Sequence, residues 1–209
     1  MKCRKFVTIL LMLEYNTILS ICKRVRIYMS GILNRPNKYI REKAVEYALK
    51  YVKNPNPYYR YFKTEGDGGG DCTNFVSQCL FYGGAPMDYK ARWPWWYKGT
   101  GNSSRIDHAW SVSWAVAHSL YWCLKSRGKS DAYGLCGIET SDMDVLELGD
   151  IIQYEKSGGI IYHSAIITGF STKSGKREPL ITQHSIDAVN IPYFKPAASK
   201  AHFMKILVT

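Results

Sequence analysis

The feature that most constrains the fold is an abrupt change from a glycine-rich stretch to a helical pattern at Cys72. Residues 66–70 read Gly-Asp-Gly-Gly-Gly, a composition typical of a loop. From there the apolar residues recur at the spacing of a helix with one buried face, at Cys72, Phe75, Val76, Cys79 and Leu80. Asp71 stands at the N-cap position and Gly83-Gly84 at the C-terminal stop. The sequence therefore predicts a central helix that begins at Cys72.

The residues on either side of this helix predict an α+β domain, with helices first and strands afterwards. Apolar residues at helical spacing mark a first helix over about residues 38–53 and a third over about residues 113–125. A polar connector follows, and the spacing then shortens to that of strands. The predicted strands span residues 150–154, 160–170, 179–184 and 203–208.

Residues 1–36 are predicted to be an extension, because the cluster Asn34-Arg35-Pro36-Asn37 is typical of a boundary. The domain itself would then cover residues 37–209. Three basic residues precede an apolar run over residues 6–13, which fits either a degenerate export signal or an amphipathic helix. The first would place the protein outside the cell or at its surface, and the second in the cytoplasm. The run is too short for a membrane span, which takes about 20 apolar residues.

The chain is basic, with 28 Lys and Arg against 17 Asp and Glu among 209 residues and a net charge of +11. Such a charge attracts anionic polymers. The basic residues are scattered and no nucleic-acid-binding motif accompanies them, so nucleic acid is not an expected partner.

The six cysteines lack the spacing of a zinc site, so we expect no metal and no cofactor. Cys79 and Cys123 lie on apolar helix faces and are expected to be buried. The oligomeric state stays open.

Cys72 is the candidate nucleophile. At the first turn of its helix, backbone N–H groups and the helix dipole favour a negative charge, so we expect its thiolate to form more readily than that of a free thiol. The alternative is that Cys72 is only the first buried residue of the apolar face. The glycines just before it favour the nucleophile, because they would let a substrate backbone pass close to the helix end.

His163 is the candidate base for this nucleophile. Among the five histidines it is the one that begins the apolar pattern of residues 163–169, and a side chain at the start of a strand can project toward a helix end. The alternative is a strand histidine that is only hydrogen-bonded. The strand predicted just before it, residues 149–154, favours the catalytic role.

Several motifs together resemble the bacterial putative amidase domain family, a relative of the CHAP amidases and of the NlpC-type cell-wall peptidases. They are GDCTNFVSQ at residues 70–78, GDIIQY at residues 149–154, HSA at residues 163–165 and QHS at residues 183–185. The Gly83-Gly84 pair and a Trp-rich loop lie between the first two. The resemblance runs from about Asn37 to near the C-terminus.

This resemblance implies a papain-like core, in which the helix that begins at Cys72 packs on a small antiparallel sheet. It also implies that Cys72 is the nucleophile, that His163 is the base and then the acid, and that His184 orients the imidazole. Gln183, Asp187 and Asn190 stay open as alternative orienting residues. Backbone N–H groups near Cys72 would hold the oxyanion, with Asn74 or Tyr61 as a polar helper. Asp71 and Asn74 are therefore predicted to be substrate-binding residues.

All six tryptophans lie between Trp93 and Trp122. Trp110, Trp114 and Trp122 are expected to cover the core. Trp95 and Trp96 belong to an irregular loop, where they could either cover the core or form a wall that stacks on substrate. The predicted substrate-binding set includes both.

These patterns predict a cysteine amidase or peptidase that cuts an amide bond through an acyl-enzyme. Its expected substrate is peptidoglycan or another peptide-bearing polymer. Two alternatives stay open. The first is a catalytically inactive papain-like module that binds cell wall or protein through its aromatic loop, and the second is an acyltransferase that uses the same Cys-His pair.

Overall fold

The structure, a computed structural model, describes residues 36–66, 69–99, 108–129 and 133–209. The predictions for the first 35 residues lie outside this part of the chain. Residues 37–209 form one compact unit that combines helices with a β-sheet. The mixed α and β composition that the sequence predicts is therefore confirmed.

The described residues form four helices: α1, Arg41–Tyr51; α2, Cys72–Tyr82; α3, Val112–Ala115; and α4, Ala117–Gly128. The helix predicted to begin at Cys72 is confirmed; it ends at Tyr82, and Gly83 is its C-cap. The prediction of one continuous third helix is wrong. Val116 adopts an extended backbone, with φ −112° and ψ 123°, and divides the segment into α3 and α4. This break lies beside the candidate nucleophile, as described below.

The strands are β1, Tyr97–Lys98; β2, Ala109–Trp110; β3, Leu135–Thr140; β4, Ile151–Lys156; β5, Ile160–Lys173; β6, Lys176–Gln183; β7, Ala188–Pro192; and β8, Lys200–Val208. The first two pair with each other, and the other six form one antiparallel sheet in the order β3-β8-β4-β5-β6-β7. All four predicted strands are present. The sequence patterns missed the other four strands: β1 and β2, which flank the Trp-rich loop region, β3, which lies in the predicted polar connector, and β7.

The two faces of this sheet have different neighbours. The helix face carries Ile151, Ile166 and Ile206, which belong to one core with Phe75 and Leu80 of α2. The outer face carries a smaller core of Leu146, Ile152, Tyr154, Ala165, Ile167 and Ile181. Because side chains alternate along a strand, His163 shares the outer face with Ala165, whereas Ser164 points to the helix face.

The buried residues include Cys79 and Cys123, both with 0% exposure, as predicted. No helix within the described ranges is long and apolar enough to cross a membrane. Among the same residues, no group of three or more His, Cys, Asp or Glu side chains is arranged to hold a metal ion.

Candidate active site

Cys72 is the first residue of α2, and its side chain is only 5% exposed. Burial raises the pKa of the thiol, while hydrogen bonds from the Ser164 backbone N–H and from Thr73 act in the opposite direction. The expectation of an easily formed thiolate is therefore wrong for the resting protein. The desolvation of a buried sulfur outweighs the favourable field at the helix start.

A row of buried polar side chains leads from the sheet to this sulfur. Gln153 Nε2 donates a hydrogen bond to Ser164 Oγ at 3.1 Å, and Ser164 Oγ lies 3.1 Å from Thr73 Oγ1. Thr73 Oγ1 in turn lies 3.7 Å from Cys72 Sγ. Because the amide nitrogen of Gln153 can only donate, a consistent set of hydrogen bonds runs from Gln153 through the two hydroxyls and ends with a donor directed at the sulfur. Such a donor stabilises a thiolate when it forms.

The ring of His163 is held by Gln183, one of the residues that the sequence left open for this role. His163 Nε2 lies 2.9 Å from Gln183 Oε1, and Gln183 Nε2 donates to the carbonyl of Ile186 at 2.9 Å. With the amide oriented in this way, Nε2 of the imidazole must carry the hydrogen. The neutral ring then has its lone pair on Nδ1, the nitrogen that a general base needs to have free.

His163 is 9% exposed and is held in its neutral form. Its pKa falls to about 4, mainly because burial disfavours the imidazolium and also because of the positive charge of Lys195. The hydrogen bond to Gln183 opposes this shift only in part. At neutral pH the imidazole is therefore unprotonated.

The thiol of Cys72 lies beside β5, where it accepts a hydrogen bond from the N–H of Ser164. Ser164 directly follows His163 in the sequence. Within the described part of the chain, however, no hydrogen bond joins the thiol to the imidazole. In the resting protein the Cys72 thiol and the His163 imidazole are both neutral, and they do not form an ion pair.

His184 does not orient His163, which corrects the prediction for that residue. Its Nδ1 lies 2.6 Å from Asp71 Oδ2, its Nε2 lies 3.1 Å from the carbonyl of Tyr51, and its ring stacks on Phe75 with 3.9 Å between the centroids. Both ring nitrogens therefore face oxygen atoms of the protein. On the helix face, His184 forms a buried hydrogen bond with Asp71.

Asp71 is likewise a structural residue, in contrast to the predicted contact with substrate. It is 1% exposed, and its side chain makes no capping hydrogen bond to α2. Its Oδ1 accepts hydrogen bonds from the Phe62 N–H at 3.0 Å and from Asn74 Nδ2 at 2.8 Å. With Oδ2 paired to His184, the carboxylate is fully used inside the protein.

The structure also corrects the predicted roles of Asn74 and Trp95, both of which have 0% exposure. Asn74 donates to Asp71 and to the Arg60 carbonyl and accepts from Trp114 Nε1 at 2.7 Å. The Trp95 indole donates to Ser77 Oγ at 3.1 Å inside the core. Neither side chain has a free polar group to offer a substrate.

The remaining aromatic candidates are more exposed. Trp96 is half-buried and stacks on Tyr89, with 5.5 Å between the ring centroids. Tyr61 is 37% exposed and lies 5.7 Å from the His184 ring. Neither residue lines the groove at Cys72 described next. The backbone N–H groups of the first turn of α2, which have no acceptor within the helix, remain candidates for oxyanion donors.

A groove of about 300 Å³ opens beside Cys72. Its walls come from the glycine-rich loop, the start of α2, the break between α3 and α4, and the β4–β5 hairpin. The lining residues are Gly69, Gly70, Cys72, Thr73, Ala115, Val116, Ala117, Lys156, Ile161 and Tyr162. The extended backbone at Val116 thus supplies one wall, which a continuous helix would not.

Gly70 has a structural reason to be glycine. Its φ is +96°, and a Cβ there would overlap the side chain of Ser185. Ser185 Oγ accepts a hydrogen bond from the Asp71 N–H at 2.8 Å. The glycine therefore lets the β6 end approach the start of α2, while it also lines the groove.

Two curated proteins of Bacillus subtilis (strain 168) are similar to this chain. The uncharacterized protein YhbB is 35% identical over 157 residues, which cover 74% of this chain and 44% of YhbB. The uncharacterized protein YjcM is 27% identical over 151 residues, which cover 71% of this chain and 31% of YjcM. The chain thus spans less than half the length of these relatives. No solved structure matches it.

The match to a protein family covers nearly all of the compact unit. Residues 38–207 match the family described as "Putative amidase domain". This range includes Cys72, His163 and Gln183, together with the sheet and the helices that hold them. On this match, the chain belongs to the putative amidase domain family.

Proposed function

We propose that this chain is a cysteine-dependent amide-bond hydrolase with a papain-like core. Cys72 would be the nucleophile, and His163 the general base and then the general acid. The observation that supports this best is the contact between His163 and Gln183, which leaves the lone pair of the imidazole on Nδ1. The thiol lies beside the same strand, where it accepts a hydrogen bond from the Ser164 N–H.

The reaction would proceed through a thioester. The thiol proton passes to His163 Nδ1 while the sulfur attacks the amide carbonyl, and the C–N bond then breaks as Nδ1 returns the proton to the leaving amine. A water molecule next attacks the thioester and gives its proton to Nδ1. The C–S bond breaks, and the proton returns to the sulfur. No metal or redox cofactor takes part in these steps.

The neutral resting state has a consequence for this mechanism. Since burial raises the pKa of the Cys72 thiol and lowers that of His163, the ion pair is unfavourable before substrate arrives. Proton transfer would then accompany the attack on the carbonyl. The hydroxyl of Thr73 and the first-turn N–H groups of α2 would stabilise the charge that develops.

The expected substrate is a peptide linked to an anionic polymer, with peptidoglycan as the leading candidate. The family name indicates amide bonds. The net charge of +11 favours an anionic polymer, and the groove beside Cys72 includes Lys156 among its lining residues. Half of the groove wall consists of glycine, alanine and valine, which leaves room for an extended peptide.

One observation favours a second function, a catalytically inactive binding module. The thiol is nearly buried and makes no hydrogen bond to the imidazole within the described residues. A protein that only binds peptide would retain the groove but would not use Cys72 chemically. The same groove would then recognise the wall without cutting it.

Digestion of purified peptidoglycan fragments, followed by mass spectrometry, tests the proposal. Cys72→Ala should lower the rate of amide cleavage at least about 1,000-fold, because the acyl-enzyme cannot form. Cys79→Ala, on the same helix and equally removed from solvent, is the matched control and should retain most of the activity. A mass increase on Cys72 that equals the acyl fragment would identify the intermediate.

The other outcomes separate the alternatives. Cleavage by Cys72→Ala at the wild-type rate would rule out the cysteine mechanism. Tight binding of a fragment by the wild-type protein without any cleavage would favour the binding module. Products in which an added amine replaces water would identify an acyltransferase.

A further inference from the structure

Lys195 brings a positive charge close to both candidate catalytic residues. Its ammonium group lies 5.2 Å from the centroid of the Tyr154 ring, and that ring lies 5.7 Å from the ring of His163. The charge of Lys195 lowers the pKa of His163, and a Cys72 thiolate would raise the pKa of Lys195 against the larger lowering effect of burial. The ammonium group is therefore within electrostatic reach of the sulfur and of the imidazole.

The ammonium group of Lys195 has no carboxylate partner among the described residues, although the side chain is half-buried. Two other basic residues that are shielded from solvent do have a carboxylate partner: Lys125 pairs with Glu139 at 2.7 Å, and Arg127 with Asp88 at 3.0 Å. A partly desolvated cation without a counter-ion loses hydration and gains no ion pair. An anionic group from outside the chain would supply the missing partner.

The loop that carries Lys195 is held in place at several points. Tyr154 Oη donates to the carbonyl of Tyr193 at 2.6 Å, and the Tyr193 N–H donates to the Pro179 carbonyl at 3.2 Å. The Ala198 N–H donates to the carbonyl of Lys195 itself at 3.0 Å. These bonds hold the backbone on both sides of Lys195, from which the side chain reaches the Tyr154 ring.

We propose that Lys195 is a specificity-determining residue that binds a carboxylate of the substrate next to the scissile amide. This inference rests on the function proposed above. The substrate class it names is a peptide in which one of the two groups joined by the amide also carries a free carboxylate. The ammonium group pairs with that carboxylate while the amide carbonyl faces Cys72.

Two peptidoglycan fragments that differ in one group provide the test. In one fragment the glutamate α-carboxyl group is free, and in the other it is a carboxamide. We expect the wild-type protein to show a kcat/KM about 10- to 100-fold higher for the free carboxylate, the range of a hydrogen bond to a charged group. Lys195→Met should reduce this ratio to about 2 or less. Lys173→Met should leave the ratio unchanged, since Lys173 is exposed and lies ten residues farther along β5, roughly 33 Å from His163.

Two results would overturn the assignment while leaving the hydrolase intact. One is equal cleavage of both fragments by the wild-type protein. The other is an unchanged ratio in Lys195→Met. If that variant also loses activity equally on both fragments, Lys195 acts only on the charge of Cys72 or His163.

Calorimetry measures the binding of both fragments to Cys72→Ala, and it tests the role of Lys195 even if the protein is not a hydrolase. If the wild-type protein cuts neither fragment, the hydrolase proposal fails, but binding can still be measured. We then expect at least about tenfold tighter binding of the carboxylate fragment, lost when Lys195→Met is added. Equal affinity for the two fragments, or no binding of either, would overturn the role of Lys195.

Discussion

Two histidines, His163 and His184, have different surroundings near the end of β6. Gln183 and His184 are neighbours there, and their side chains lie on opposite faces of the sheet. Gln183 contacts His163 on the outer face, and His184 contacts Asp71 on the helix face. The amide of Gln183 satisfies one ring nitrogen of His163 and leaves Nδ1 with a lone pair. Both ring nitrogens of His184 are hydrogen-bonded, one to Asp71 and the other to the carbonyl of Tyr51. A histidine with every polar atom engaged stabilises structure, whereas one with a free lone pair can exchange a proton.

The two regions also differ in the residues that surround the histidine. Asp71 and His184 are 1% exposed each, and a buried hydrogen bond between their side chains joins the start of α2 to the end of β6. His163 is neutral, because burial and the nearby charge of Lys195 lower its pKa. Loss of a partner should therefore affect folding in the first region and catalysis in the second.

The largest expected effect is on stability, in Asp71→Ala. Removal of this carboxylate leaves three buried groups without their hydrogen-bond partner, namely His184 Nδ1, the Phe62 N–H and the Asn74 amide, so we expect a loss of about 3–5 kcal/mol in the free energy of unfolding. Urea unfolding measures it. Asp187→Ala, at an exposed aspartate three residues after His184, should change this free energy by about 0.5 kcal/mol or less. A loss below about 1 kcal/mol in Asp71→Ala would show that the hydrogen bonds of this carboxylate do not stabilise the fold.

The next effect is on catalysis, in Gln183→Ala. Without the amide oxygen, the His163 ring can change tautomer and orientation, so we expect kcat/KM to fall about 10- to 100-fold. The free energy of unfolding should fall by only about 1 kcal/mol, the range for one neutral hydrogen bond. Equal losses of activity in Gln183→Ala and in the Asp187→Ala control would contradict this role.

The pH dependence of Gln183→Glu sharpens the same comparison. In the wild-type protein, activity should fall only as the pH drops toward about 4, because His163 must be neutral to accept a proton and its pKa lies there. A carboxylate at position 183 stabilises the imidazolium and raises this pKa, so the acidic limb of kcat/KM should move to higher pH. If the acidic limb of kcat/KM stays at the same pH in Gln183→Glu, His163 is not the base.

The smallest expected effect concerns the donor to the sulfur, in Thr73→Val. Iodoacetamide labelling of Cys72 requires the thiolate, and its rate should rise only at alkaline pH because burial raises the thiol pKa. Loss of the Thr73 hydroxyl should raise this pKa further and slow labelling at a given pH about fivefold. Thr172→Val, at an exposed threonine near the end of β5, is the control. Equal labelling rates in the two variants would show that Thr73 does not act on the sulfur.

The contact of Gln183 with His163 could be predicted only in part from the sequence. The motif QHS indicated that the residue orienting His163 lay near positions 183–184, and His184 was the expected choice. The choice depends on which residues of β6 share a face with His163, and a difference of one residue exchanges the two faces. The register of β5 and β6 includes an irregularity between Ile167 and Gly169, which no local pattern announces.

Other parts of the site depended on the tertiary structure in the same way. The sequence patterns gave no sign of Lys195, because a lysine in a loop is ordinarily solvated. Its place beside Tyr154 results from the pairing of distant strands and from the hydrogen bond of Tyr154 to Tyr193. The raised pKa of Cys72 follows from burial, which the helix pattern alone did not reveal.

The sequence by itself determined the helix that begins at Cys72, the order of helices before strands, and the resemblance carried by its motifs. These features depend on local periodicity, glycine positions and short spacings, all of which can be read along the chain. Only the tertiary structure decided which polar groups meet. Gln183, Thr73 and Lys195 acquire their places around His163 and Cys72 through strand register and burial, and both are properties of segments that are far apart in the sequence.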